Sequence, residues 1–347
     1  MAAWQARAER RLLALLMRLP EGVKRRMAAR LEHDDGSELD TDLRLLLALS
    51  ALRRPLEERS VADARRFYDY LFELLDVPPQ PLARLRDHDL ALPGRRLRLR
   101  EYLAGNGNGG NRTVLFFHGG GHVIGSTPGY DRLCGFLSRE LEARIFSLEY
   151  RLAPEHPFPA APEDALEAWQ WLHRNARVQD IDPEAIAVMG DSAGGNLAAV
   201  VSANAARYDT PVPVAQCLVY PVLDLRMAYP SVETHARGAG LTRELMDWFR
   251  GHYLQDLDNA SKPLASPLLE EDFSGLPPTL LTICRDPLRD EGLEYVHRLA
   301  EAGVTEESLD FPELVHGFIG MGGMVPAARD AVLEICDAFG RMLASAR

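Results

Sequence analysis

The sequence predicts an α/β domain, a mostly parallel central sheet with helices on both faces, and three observations carry that expectation. From Arg144 to the C-terminal region, short apolar runs with strand character alternate with helical stretches, the rhythm of β–α–β units. A glycine-flanked serine, Gly190 to Gly194, stands where one such strand gives way to a helix. A glycine run, Gly119 to Gly121, follows another strand, Val114 to Phe117. The 347 residues suit one large domain carrying extra elements.

In chain order, residues 1–80 read as helices. Leu12, Leu13, Leu15, Leu16 and Leu19 recur at helical spacing, Leu43 to Leu52 and Val61 to Leu75 do likewise, and Pro20, Pro55 and Pro78-Pro79 punctuate them. Strand character begins at Leu82 and continues through Leu97 to Tyr102 and Thr113 to Phe117. Between the last two lies Gly105 to Asn111, only Gly and Asn, which suits a hairpin turn because both tolerate positive φ. The run also matches GxGxxG, but a dinucleotide loop needs a helix after it and here a strand follows, so the turn is the expectation.

The alternation then runs strand Ile145 to Glu149, helix Pro162 to Asn175, strand Ala185 to Met189, helix Ala193 to Arg207 and strand Ala215 to Tyr220. After a polar, helix-leaning insert at 225–263 come strand Thr279 to Cys284, helix Glu291 to Ala302, strand Glu307 to Phe311 and a closing helix Pro326 to Ala344.

A net charge of −12 argues against nucleic acid as a partner, since tracking phosphates needs clustered Lys and Arg. The exception is Met1 to Arg30, with eight basic residues against Glu9 and Glu21. An apolar face with basic flanks suits a helix packing on an acidic body, and this reading is preferred over attachment to anionic lipid through Trp4 and the Leu12 to Leu19 stripe. Cys134, Cys217, Cys284 and Cys336 lack metal or disulfide spacing, so a reducing compartment is expected. No apolar run approaches the roughly 20 residues that span a bilayer, and Leu12 to Met17 is too short for a signal-peptide core. A cytoplasmic location follows as an expectation.

Gly190-Asp191-Ser192-Ala193-Gly194 fits GxSxG in the context its chemistry needs. A sharp strand-to-helix turn projects the serine oxygen above the sheet, with glycines where a Cβ would clash, and the helix N-terminus favours an oxyanion. GxSxG alone would arise by chance about 0.1 times in such a chain, so a second motif matters. His118-Gly119-Gly120-Gly121 supplies it: glycines let two backbone N–H groups turn toward one point, and the Ala193 N–H is the expected third donor. His118 and Gly119 are expected to support that loop, and His122 lines the pocket or faces solvent. Zinc held by His118 and His122 is disfavoured, because consecutive glycines do not keep residues four apart on a shared face.

A serine nucleophile needs a base, and the base an orienting acid, supplied by strand ends downstream. Asp286 follows the strand ending at Cys284, and His316 lies 30 residues further on. Asp290 and Glu291 are nearby rivals, but their place at a helix start suggests capping, and His297 sits mid-helix. Ser192, His316 and Asp286 form the candidate triad.

These residues resemble the hormone-sensitive-lipase-like group of α/β-hydrolases, also called bacterial esterase family IV. The resemblance rests on His118 to Gly121 (HGGG), Gly190 to Gly195 (GDSAGG), Tyr150 to Ala161 (YRLAPEHPFPAA), Asp286 to Gly292 (DPLRDEG) and His316 to Phe318 (HGF). It implies the α/β-hydrolase fold, with a helical cap built from residues 1–85 and an insertion at 225–263, and a core divided into 86–224 and 264–347. It also implies Ser192 as nucleophile, His316 as general base and then acid, Asp286 as its orienter, and Gly120, Gly121 and Ala193 as oxyanion donors. Tyr150 to Asp164 is expected to brace the floor beneath the elbow. Departures are His122, where an aromatic commonly follows the glycines, and Glu149, where Asp commonly precedes Tyr-Arg.

The expected function is hydrolysis of short- to medium-chain carboxylic esters through an acyl-enzyme, with no metal or organic cofactor. The partner is then a small-molecule ester; membrane attachment is not expected and a homodimer is left open. Amide or lactone hydrolysis by the same triad and a non-catalytic ligand-binding role are the alternatives.

Overall fold

The computed structural model describes residues 3–31, 38–92, 94–105, 112–238 and 240–345. Four helices come first: α1 (Ala3–Met17), α2 (Glu21–Leu31), α3 (Thr41–Ser50) and α4 (Val61–Leu75). Asp40 caps α3 through the amides of Asp42 and Leu43, and Ser60 caps α4 through that of Asp63, so each begins where a short side chain satisfies free N–H groups. Strands β1 (Leu82–Leu92) and β2 (Arg95–Ala104) pair antiparallel. There follow β3 (Thr113–Phe117), α5 (Asp131–Glu140), β4 (Arg144–Glu149), α6 (Ala160–Asn175), β5 (Ile186–Asp191), α7 (Ala193–Asn204) and β6 (Gln216–Val219). Helices α8 (Ser231–Thr234) and α9 (Arg243–Leu254) occupy the insert, and β7 (Thr279–Arg285), α10 (Arg289–Glu301), β8 (Glu306–Val315) and α11 (Pro326–Ser345) complete the chain.

One eight-stranded sheet runs β1-β2-β4-β3-β5-β6-β7-β8, parallel from β4 to β8. Side chains alternate across it: Val114, Phe116, Ala187 and Met189 join a core with α5 and α11, while Leu115, Phe117 and Val188 join one with α6, α7 and α10. Both faces are covered, which is why these strands read as unbroken apolar runs.

The expected hairpin between the strands at 97–102 and 113–117 does not form. β4, returned beside β3 through α5, lies between β2 and β3 and takes the ladder positions on both sides, Tyr102 facing Ile145 and Thr113 facing Arg144. Residues 106–111 of the Gly/Asn run lie outside the described residues.

Chain order reverses at the centre. β3 leads through α5 to β4 on one side, and β5 leads through α7 to β6 on the other, so a crevice opens where their carboxyl ends diverge. Phe117 faces Gly190 across β3 and β5, placing the glycine loop beside the elbow. At the far end, Cys284 faces Phe311 but Arg285 faces Val315. This slip lengthens β8 past Phe311 and brings His316 level with Asp286.

Arg10, Lys24 and Arg25 of α1 and α2 find partners within the N-terminal segment. Arg10 donates to the carbonyls of Glu73, Leu74 and Asp76 at 2.8, 3.0 and 2.7 Å, at the carbonyl-rich end of α4, and Lys24 pairs with Asp42. Leu13 is buried whereas Leu12 and Leu15 are exposed; the side chain of Trp4 lies outside the described residues. Among the described residues no helix is long and apolar enough to cross a membrane.

Candidate active site

The elbow is a strained turn held by close backbone contacts. Ser192 has φ +56° and ψ −119°, a conformation costing about 1–3 kcal/mol for a residue with a side chain. Its N–H donates to Val219 O at 2.9 Å and its carbonyl accepts from Asn196 and Val222. A Cβ on Gly190 would stand 2.3 Å from the Gly194 backbone, and one on Gly194 1.9 Å from Phe117 O. Only glycine lets strand and helix approach so closely.

The structure brings Ser192, His316 and Asp286 together from three strand ends. His316 Nε2 lies 2.9 Å from Ser192 Oγ, and its Nδ1 lies 2.7 Å from Asp286 Oδ2. Asp286 is 1% exposed, and its other oxygen accepts from Leu288 N–H at 3.0 Å, which locks the carboxylate's orientation. The ring of Tyr220 packs against His316, with centroids 4.7 Å apart.

The rivals serve elsewhere. Neither Asp290 nor Glu291 caps α10: Asp290 accepts from Ser231 N–H at 2.8 Å, and buried Glu291 accepts from Leu223 N–H at 2.6 Å. Burial pushes the Glu291 carboxyl well above its usual range, and its contacts brace the loop after β6. His297 is exposed, 3.4 Å from Glu301.

The glycine loop turns on left-handed residues, with φ +111° at Gly120, +60° at Gly121 and +61° at His122. Gly119 N–H donates to Asp191 Oδ1 at 2.9 Å, while the N–H groups of Gly120, Gly121 and Ala193 meet no acceptor among the described residues. His118 is buried, its Nδ1 2.8 Å from Gly119 O and its ring stacked on Tyr150, whose hydroxyl donates to His118 O at 2.8 Å. Burial lowers its pKa.

His122 lines a cavity beside Ser192 and stacks on Tyr253 with centroids 4.0 Å apart. Burial, and then the nearby His118 ring, drop it to about 3, so it is neutral near pH 7. Among the described residues no group of three or more His, Cys, Asp or Glu is arranged to hold a metal.

Sequence reasoning left Asp191 without a role. Its buried carboxyl ties the elbow to the glycine loop, accepting from Gly119 N–H and, at 3.1 Å, from the Tyr130 hydroxyl. Burial pushes it up to about 7. The signal was its place inside the motif; nothing local marks Tyr130, which reaches it from the start of α5. Glu149 accepts from Thr127 N–H at 2.8 Å, and Arg151 grips Asp164 at 2.8 Å, bracing the floor below.

Two cavities meet at Ser192. The larger, about 200 Å³, has His316, Gly317 and Met321 on one side and side chains of α3 and α4, such as Leu46 and Phe72, on the other. The smaller, about 40 Å³, is walled by His122, Val222, Leu225 and one face of α9. Gly121, Leu241 and Phe249 border both.

Comparison with known proteins agrees with this architecture. A family described by the alpha/beta hydrolase fold matches residues 114–320. The carboxylic ester hydrolase LipN of Mycobacterium tuberculosis (strain ATCC 25618 / H37Rv) is 37% identical over 300 residues, 83% of this chain and 78% of that protein. An ethyl acetate hydrolase of Pseudomonas putida is 36% identical over 227 residues, 65% of this chain and 71% of the relative. Among solved structures, the ester-hydrolase EH1AB1 from the metagenome of Lake Arreo superposes with a TM-score of 0.83 at 34% identity, covering 87% of this chain and 98% of that one.

Proposed function

The chain belongs to the α/β-hydrolase family, among its hormone-sensitive-lipase-like esterases, and on that footing we propose that it hydrolyses carboxylic esters with Ser192 as nucleophile, His316 as general base and Asp286 as orienting acid. The observation that carries the reading is His316 within hydrogen-bond reach of both partners, 2.9 Å from Ser192 Oγ and 2.7 Å from Asp286.

With Asp286 accepting from Nδ1–H, the free lone pair of Nε2 faces the serine hydroxyl. His316 takes that proton as Oγ bonds to the ester carbonyl carbon, and the carbonyl oxygen gains the negative charge. The N–H groups of Gly120, Gly121 and Ala193 receive it, aided by the positive end of α7. The C–O bond to the alcohol then breaks, His316 returns the proton to the leaving oxygen, and the acyl group stays on Ser192. Water, deprotonated by the same imidazole, repeats the sequence and releases the acid.

Short acyl chains fit best, because the smaller cavity holds only about 40 Å³. The reading is tested with Ser192→Ala on 4-nitrophenyl esters from acetate to palmitate. We expect turnover to vanish with an unchanged circular dichroism spectrum, and wild-type kcat/KM to peak at short or medium chains. Retained activity in the variant would refute the nucleophile, and a maximum on palmitate would refute the chain-length preference.

A further inference from the structure

We propose that Arg250 selects esters whose acyl part ends in a carboxylate, an inference that rests on the ester-hydrolase reading above. The two cavities at Ser192 divide the substrate between them. His316 lines the larger one, and the oxygen it protonates belongs to the alcohol, so the alcohol half lies there. The smaller cavity shares Ser192 and Gly121 but not His316, and it receives the acyl half that stays on the serine.

Apart from Ser192 itself, its wall is apolar except for His122, Tyr253 and two charged side chains, Asp224 and Arg250. Asp224 is fully engaged: Oδ1 accepts from the N–H and Nε of Arg226, both at 2.9 Å, and Oδ2 accepts from Nη2 at 2.7 Å. Arg250 is not. Its side chain is 19% exposed, its Nε is buried without an acceptor, and Nη1 reaches only Met227 Sδ at 3.2 Å. The nearest carboxylate, Asp247, stands 3.8 Å away, is 53% exposed, and also faces Arg243 at 3.7 Å.

Elsewhere this fold gives its sequestered arginines close partners. Arg144 meets Glu101 at 2.7 Å, Arg151 meets Asp164 at 2.8 Å and Arg95 meets Asp164 at 3.0 Å. A guanidinium left with open donors in an apolar wall favours a planar anion that accepts two parallel N–H bonds. Arg250 is held there by its helix: Met246, Phe249, Arg250 and Tyr253 are spaced i, i+3, i+4 and i+7 on the face of α9 that lines the cavity. A cavity of about 40 Å³ admits roughly three water-sized groups, which limits the spacer to a few carbons. The fitting class is therefore the monoester of a short dicarboxylic acid.

The test compares monoethyl succinate with its neutral isostere, ethyl 4-methylpentanoate, by kcat/KM for acid release at constant pH. Wild type should prefer the succinate by about tenfold or more. Arg250→Met should bring that ratio to one or below, with Arg250→Lys in between because an ammonium keeps the charge but loses the fork. The ratio is internal to each preparation, so partial unfolding cancels from it. A wild-type ratio of one or less, an unchanged ratio in Arg250→Met, or a preference for acetoxyacetate, which carries its carboxylate on the alcohol side, over monoethyl succinate would overturn the proposal. Ethyl acetate turnover by the same wild-type enzyme is read separately: its absence would sink the ester-hydrolase reading, whereas a lost ratio alone sinks only the assignment of Arg250.

Discussion

Replacing Gly194 by alanine forces a methyl group into the contact that seats the elbow on β3. On the present backbone the new Cβ stands 1.9 Å from Phe117 O, 2.5 Å from its carbonyl carbon and 2.8 Å from His118 O. A carbon and a carbonyl oxygen rest about 3.3 Å apart, so helix and strand end must separate by about 1.4 Å. Neither side yields easily, since Phe117 is in the ladder opposite Gly190 and every residue of α7 from Ala193 to Ser202 is buried. The displacement moves the glycine loop away from Ser192 and the Ala193 N–H together. A misplacement near 1 Å costs about 10²-fold in rate, so kcat/KM on 4-nitrophenyl acetate should fall by roughly that factor. Overpacking adds about 1–3 kcal/mol of destabilisation, a loss of several degrees in Tm. The control is Gly340→Ala inside α11, where an added Cβ meets nothing within 4 Å; it should stabilise by about 0.5–1 kcal/mol. If Gly194→Ala kept kcat/KM within about threefold of wild type with an unchanged Tm, this contact would not be what positions the elbow.

Two further substitutions test the electrostatics around the loop. The Asp191 carboxyl titrates near 7 in the folded chain against an ordinary value of 3.8, so its contribution to stability is fully present below 3.8 and is lost as pH rises through about 7. Between pH 5 and 8 wild type should lose roughly 2–3 kcal/mol that Asp191→Asn does not, since the amide oxygen can still accept from Gly119; an equal loss in both proteins by urea unfolding at the two pH values would contradict this. His122 titrates near 3, so His122→Phe, which keeps the stack on Tyr253, should leave the pH–rate profile between pH 5 and 9 superimposable on wild type. A displaced limb would show that His122 ionises in the working range.

Which parts were legible in the sequence follows from the range of the signals. The alternation of apolar runs and the glycine motifs are local, and they were enough to anticipate a mostly parallel sheet and to single out Ser192, the loop at Gly119 to Gly121, Asp286 and His316. Whether a strand pairs with its neighbour in sequence is not local. The run of Gly and Asn suggested a hairpin, yet β4 separates the two strands because it satisfies backbone bonds on both sides. Glu291 at a helix start suggested a cap, yet it is buried against the loop after β6, where its length reaches amides that no spacing rule connects to it.

By itself the sequence determined the chemistry available: a serine between glycines, a loop without side chains, a later acid and a histidine. Tertiary structure decided how those groups meet. The slip between Arg285 and Val315 aligns His316 with Asp286, Asp191 joins the elbow to the loop, and α9 sets Arg250 in the wall of the smaller cavity that Ser192 also lines. Backbone conformation and side-chain type are written residue by residue, whereas strand register and helix docking are set by burial and hydrogen bonding summed over residues far apart in the chain.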